Sequence, residues 1–182
     1  SDESWHEIAT SLAASRFGRF RRDRSIGDGL VVRDGRVALD DESSPVTDPV
    51  SVLRVAVAAA RVPTRMSVAT LEALQGAPDL EDPWPEEARE LLVQLLESGS
   101  GAIPVVEALD RWGLWVRLIP EWEPTRSKIQ RNALHRFTVD RHLLEAASEA
   151  SRLGASTRRD LLALAALLHD IGKGYSGDHS VV

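Results

Sequence analysis

The strongest constraint in this chain is a run of eight apolar residues, Leu161 to Leu168, that stops at His169-Asp170-Ile171-Gly172-Lys173-Gly174. A helix without a polar face is expected to be buried on all sides. The run is therefore predicted to be the centre of a helical domain, flanked by neighbours on both sides. Because the sequence stops soon afterwards, further helices are expected to follow Val182. Two ionisable groups at the end of a buried helix are costly unless something compensates them. Coordination of a divalent metal supplies that compensation, because an imidazole nitrogen and a carboxylate oxygen can share one ion. Gly172 and Gly174 let the helix loosen at its end. Lys173 places a cation beside a metal-bound phosphate.

A second histidine fits this scheme. The spacing predicts a helix from Thr138 to Leu153 with Val139, Leu143, Ala146 and Ala147 apolar, and His142 lies near its start. A short turn at Gly154-Ala155 joins it to the last helix, so the two should pack antiparallel. That arrangement brings His142 to His169. Cysteine is absent, so any metal is held by nitrogen and oxygen donors. His142, His169 and Asp170 are the candidate ligands. The other reading of His169 is a core histidine fixed by Asp170. His179, in Gly177-Asp178-His179-Ser180, is open between a second metal or phosphate ligand and an exposed loop residue. His135 reads as a surface or interhelix residue, and His6 lies outside the site.

The remainder of the chain is expected to be mainly α. A helix is predicted over about Asp2 to Arg22, with an arginine cluster at Arg16, Arg19, Arg21, Arg22 and Arg24. This cluster reads as a solvated helix end rather than a phosphate site. Leu30 to Leu39 reads as a small β-hairpin around Asp34-Gly35, a pair suited to a type I′ turn. An acidic, Ser-rich linker follows from Asp40 to Thr47. Asp48-Pro49 is predicted to open a helix running to Pro63, with Asp48 as N-cap. Shorter helices follow through Leu71 and Leu74, Glu86 to Glu97, Ile103 to Trp112 and Leu114 to Pro120. Ser156 or Thr157 is expected to cap the last helix. The chain divides into 1–47 (helix, hairpin and linker), 48–125 (a helical-bundle linker region) and 126–182 (the first helices of an all-α domain). Trp112, Trp115 and Trp122 are expected to pack the core.

The formal net charge of −6 argues against nucleic acid as a partner of the whole surface. The sequence has neither an apolar run long enough to span a bilayer nor a signal-peptide pattern. A cytoplasmic location is the expectation.

The order of these residues, a His, then a His-Asp pair, resembles the HD superfamily of metal-dependent phosphohydrolases. The stretches Arg131 to His142 and Ala165 to Ser180 more closely resemble the bacterial PII uridylyltransferase/uridylyl-removing enzymes. Leu118-Ile119-Pro120-Glu121-Trp122 and Arg126 resemble the segment leading into their HD domain, in its actinobacterial form. The resemblance implies an enzyme that adds UMP from UTP to a tyrosine of the PII nitrogen-signalling protein and removes it by hydrolysis, or, in some actinobacteria, adenylylates PII. It implies His142, His169 and Asp170 as ligands of magnesium or manganese. It puts Lys173, Asp178 and His179 near the phosphate or a second metal. The metal would acidify a water and polarise a phosphoryl oxygen. No Gly-Ser motif with paired acids is present, so the nucleotidyltransferase site is not expected in this chain. The last HD aspartate and the glutamine-sensing domains are also missing. The expectation is an inactive internal piece of a longer enzyme, prone to self-association through exposed apolar surface. Two other readings are an HD phosphohydrolase of free nucleotides or guanosine polyphosphates, and a non-catalytic helical interaction module.

Overall fold

A computed structural model describes residues 23–129, 137–153 and 158–175. The predicted N-terminal helix, His6, the arginines before Arg24, His135 and the turn at Gly154 to Thr157 lie outside these residues. So do Asp178 and His179.

The architecture is mainly helical with one small sheet. Strands β1 (Arg24–Gly27), β2 (Leu30–Arg33) and β3 (Arg36–Leu39) form an antiparallel meander. Asp34 (φ 50°) and Gly35 (φ 74°) make the turn between β2 and β3. Both residues have the positive φ that a type I′ turn demands. The sheet exceeds the hairpin that alternation predicted. β1 adds one edge, and the two-residue β4 (Arg65–Met66) pairs parallel to β3 on the other. A two-residue strand carries no readable period, which is why the pattern missed it.

Helix α1 (Ser51–Arg61) buries Val52, Leu53, Val55, Ala56, Val57 and Ala59. It starts later than expected. Asp48 acts one turn upstream, where its Oδ1 accepts the N–H of Val50 at 2.9 Å and its carbonyl accepts that of Ser51 at 3.1 Å. Ser67 caps α2 (Val68–Gln75), its hydroxyl accepting from the N–H of Thr70. The linker before α1 is held in place: both Ser67 and Thr70 hydroxyls donate to Glu42.

Then come α3 (Glu86–Glu97), α4 (Ala102–Arg111) and α5 (Leu114–Leu118). Trp115 and Trp122 are buried and meet edge to face, with ring centroids 6.0 Å apart. The stretch around Trp122 is a 3₁₀ turn, Pro120–Thr125. Two helices close the described chain: α6 (Val139–Arg152) and α7 (Arg159–Leu168), with a final 3₁₀ turn over Ile171–Gly174. Among the described residues no helix is long and apolar enough to cross a membrane.

Helix α7, expected at the centre of a domain with neighbours on both flanks, is only partly covered by the described residues. Only Ala163 and Leu167 are buried, while Leu161 is 52% and Leu168 40% exposed. α6 and α3 cover one flank. Leu164, Leu167 and Leu168 line an open apolar groove shared with Leu92 of α3, Leu118 and Ile119. Apolarity determines which surfaces gain from burial, but burial itself requires a neighbour.

Candidate metal centre

His142 lies one turn into α6, and His169 follows the last residue of α7. The packing of these two helices brings the imidazole rings to a centroid separation of 5.3 Å with planes at 66°. Asp170 lies between them. Its Oδ2 is 3.1 Å from His169 Nε2 and 3.5 Å from His142 Nε2. One donor atom from each of the three residues falls within 4.8 Å of the other two. Two nitrogens and a carboxylate oxygen that close suit a borderline or hard divalent ion.

The surroundings fix the orientation of these groups. His169 Nδ1 lies 2.8 Å from the carbonyl of Ala166, one turn earlier. That contact fixes the ring so that Nε2 is the nitrogen facing Asp170. The Asp170 side chain is only 13% exposed. Burial pushes its carboxyl up, but the Lys173 hydrogen bond and the positive field of His169, Lys173 and His142 outweigh this and hold it below the ordinary carboxylate value. The carboxyl is therefore ionised at neutral pH, as a ligand must be. Lys173 Nζ donates to the same Oδ2 at 2.5 Å.

The structure thus brings together four of the six site residues that the sequence suggested: His142, His169, Asp170 and Lys173. Asp178 and His179 lie outside the described residues.

Sequence reasoning overlooked Lys128. Its ammonium donates to the carbonyl of Gly174 at 2.6 Å and so ties the final turn to the preceding segment. Gly174 packs so closely on Pro124 and Thr125 that an added Cβ would lie 2.9 Å from the Pro124 carbonyl carbon. The bracing segment is itself secured. Arg126 donates to Asp110 on α4 at 3.1 Å, and the Ser127 N–H to Asp140 on α6 at 2.8 Å. A compositional signal was available. The chain has only two lysines, Lys128 and Lys173, and both serve this turn.

A helical pair presents His142 and a His-Asp dipeptide to each other, as the resemblance to HD-type sites leads one to expect. Residues 139–182 match the family described as HD domain. The similarity extends well beyond that segment, to bifunctional uridylyltransferase/uridylyl-removing enzymes. The chain is 47% identical to that enzyme of Mycobacterium tuberculosis (strain ATCC 25618 / H37Rv) over 161 residues, covering 87% of this chain and 20% of the relative. It is 48% identical to the Streptomyces coelicolor enzyme over 158 residues, 86% of this chain and 19% of the relative. The Corynebacterium glutamicum enzyme is 38% identical over 154 residues, 84% and 22% respectively. The chain thus spans about a fifth of the length of these relatives. No solved structure matches it.

Proposed function

We propose that this protein contributes the metal-dependent centre that removes a nucleotidyl group from a PII-type signal protein. The supporting observation is the convergence of His142, His169 and Lys173 on one oxygen of Asp170. This convergence lies within a chain similar to uridylyl-removing enzymes. The donor set fits a divalent ion, magnesium or manganese, held by His142, His169 and Asp170. Such an ion, when bound, supplies positive charge to a phosphoryl oxygen and acidifies water.

The chain's own residues take the other roles. Ala166 orients His169 through Nδ1. Asp170 stays ionised and gives Oδ2. Were an ion held at that oxygen, Lys173 would be free to meet a phosphate oxygen of the substrate. Asp178 and His179 belong to the same proposal, as groups near the phosphate or a second metal. The departing tyrosine has a conjugate-acid pKa of about 10. It needs little protonation, so charge neutralisation at phosphorus matters more. Uridylyl transfer from UTP to PII, and a cytoplasmic setting, are proposed for a protein of the relatives' full length.

The test is release of UMP and AMP from nucleotidylated PII with manganese or magnesium. It compares a protein of the relatives' length carrying these residues with its His169→Ala variant. The expected result is release that falls to background in the variant while nucleotide transfer persists. If transfer is lost together with release, the separate hydrolytic site is refuted. If a folded parent releases nothing, PII is the wrong substrate.

A further inference from the structure

Outside the HD segment, three arginines converge without carboxylate partners. Arg36 on β3 and Arg65 on β4 are register partners in the sheet. Their neighbours Val37 and Met66 point into the core, so both arginines stand on the exposed face. Like charges directly opposite each other in a sheet are destabilising. Arg111, at the end of α4, joins them in lining a cleft of about 280 Å³. Its Nε donates only to the carbonyl of Glu107, at 3.3 Å.

Arg24, Arg61, Arg89 and Arg159 also meet no carboxylate among the described residues, but this cleft gathers three such arginines. Arg54, Arg117, Arg126 and Arg141 each meet a carboxylate. Among the described residues neither Arg36 nor Arg65 meets one. The one acidic residue lining the cleft, Glu107, gives its carboxylate to Arg141 on α6. Three uncompensated cations therefore persist in a chain whose net charge is −6. Apolar side chains also line the cleft, Leu71, Val105 and half-buried Trp112 among them. The volume lies at the lower end for small-molecule sites, roughly 300 Å³ upward.

We propose that this cleft binds a phosphate-bearing small molecule. Its phosphates lie on Arg36, Arg65 and Arg111, and its organic part lies against the apolar side chains. Guanidinium groups suit phosphate because their donors pair with two oxygens at once. The bound anion relieves the Arg36–Arg65 repulsion, which gives the like-charged register pair a reason to exist.

UDP is a suitable probe, titrated calorimetrically in about 0.15 M salt, where diffuse surface charge is screened beyond about 8 Å. EDTA keeps the metal centre from contributing. The expected result is saturable binding, weakened at least about tenfold, roughly 1.4 kcal/mol, in the Arg36→Gln/Arg65→Gln double variant. Arg89→Gln, an exposed arginine on α3, should leave it unchanged. Without ligand, the double variant should melt no lower than the parent. Absence of saturable binding would overturn the proposal. So would equal weakening by Arg89→Gln, or undiminished binding in a double variant shown to be folded.

Discussion

Helices α1 and α7 are built from much the same residues, yet they end in different environments. α1 reads Ser-Val-Leu-Arg-Val-Ala-Val-Ala-Ala-Ala-Arg, and α7 reads Arg-Asp-Leu-Leu-Ala-Leu-Ala-Ala-Leu-Leu. By composition α7 is at least as apolar. However, six residues of α1 are buried and only two of α7. α1 packs against β3, α3 and α4. α7 packs against α6 and α3 and lines an open groove. It is held as much by its end as by its side, through the turn that Lys128 and Pro124-Thr125 brace. α1 is therefore a packing element, whereas α7 mainly positions the His169-Asp170 pair.

The largest expected effect tests the packing side of this contrast. Leu53 on α1 is fully buried, so Leu53→Ala should cost about 3 kcal/mol of unfolding free energy, by denaturant titration. A cost below about 1 kcal/mol would mean that α1 is not the core element described here. Next comes the brace. Gly174→Ala should force the final turn away from Pro124, costing about 1–3 kcal/mol. It should also weaken manganese binding by roughly tenfold, because the turn carries Lys173 and follows Asp170. Unchanged manganese affinity would show that the turn does not position the site.

A smaller effect lies at the start of α1. The Val50 N–H, then Arg54, hold the Asp48 carboxyl below its ordinary value. A depressed carboxylate stabilises the fold above its unfolded pKa of about 3.9 and loses that contribution as pH falls through the folded value. Because the Asp48 side chain is 44% exposed, Asp48→Asn should cost no more than about 1 kcal/mol near pH 7, with the gap from the parent closing below about pH 4. A gap that stays constant with pH would remove the charge from the explanation. The smallest change is expected on the open flank of α7. Leu161→Ala should shift stability by no more than about 0.5 kcal/mol, and a cost near that of Leu53→Ala would abolish the contrast.

The sequence by itself determined the helical periods, the Asp34-Gly35 turn and the convergence of His142 with His169-Asp170. Each follows from local spacing or from the geometry of a short antiparallel connection. Only the tertiary structure decided which flank of α7 is covered. It also decided that β1 and β4 complete the sheet, that Lys128 secures the Gly174 turn, and that Arg36, Arg65 and Arg111 share a cleft. The β4 pairing, the Lys128 brace and the arginine cleft bring together residues 29 to 75 positions apart. Local pattern records what a segment prefers, but the partner that satisfies it comes from elsewhere in the chain.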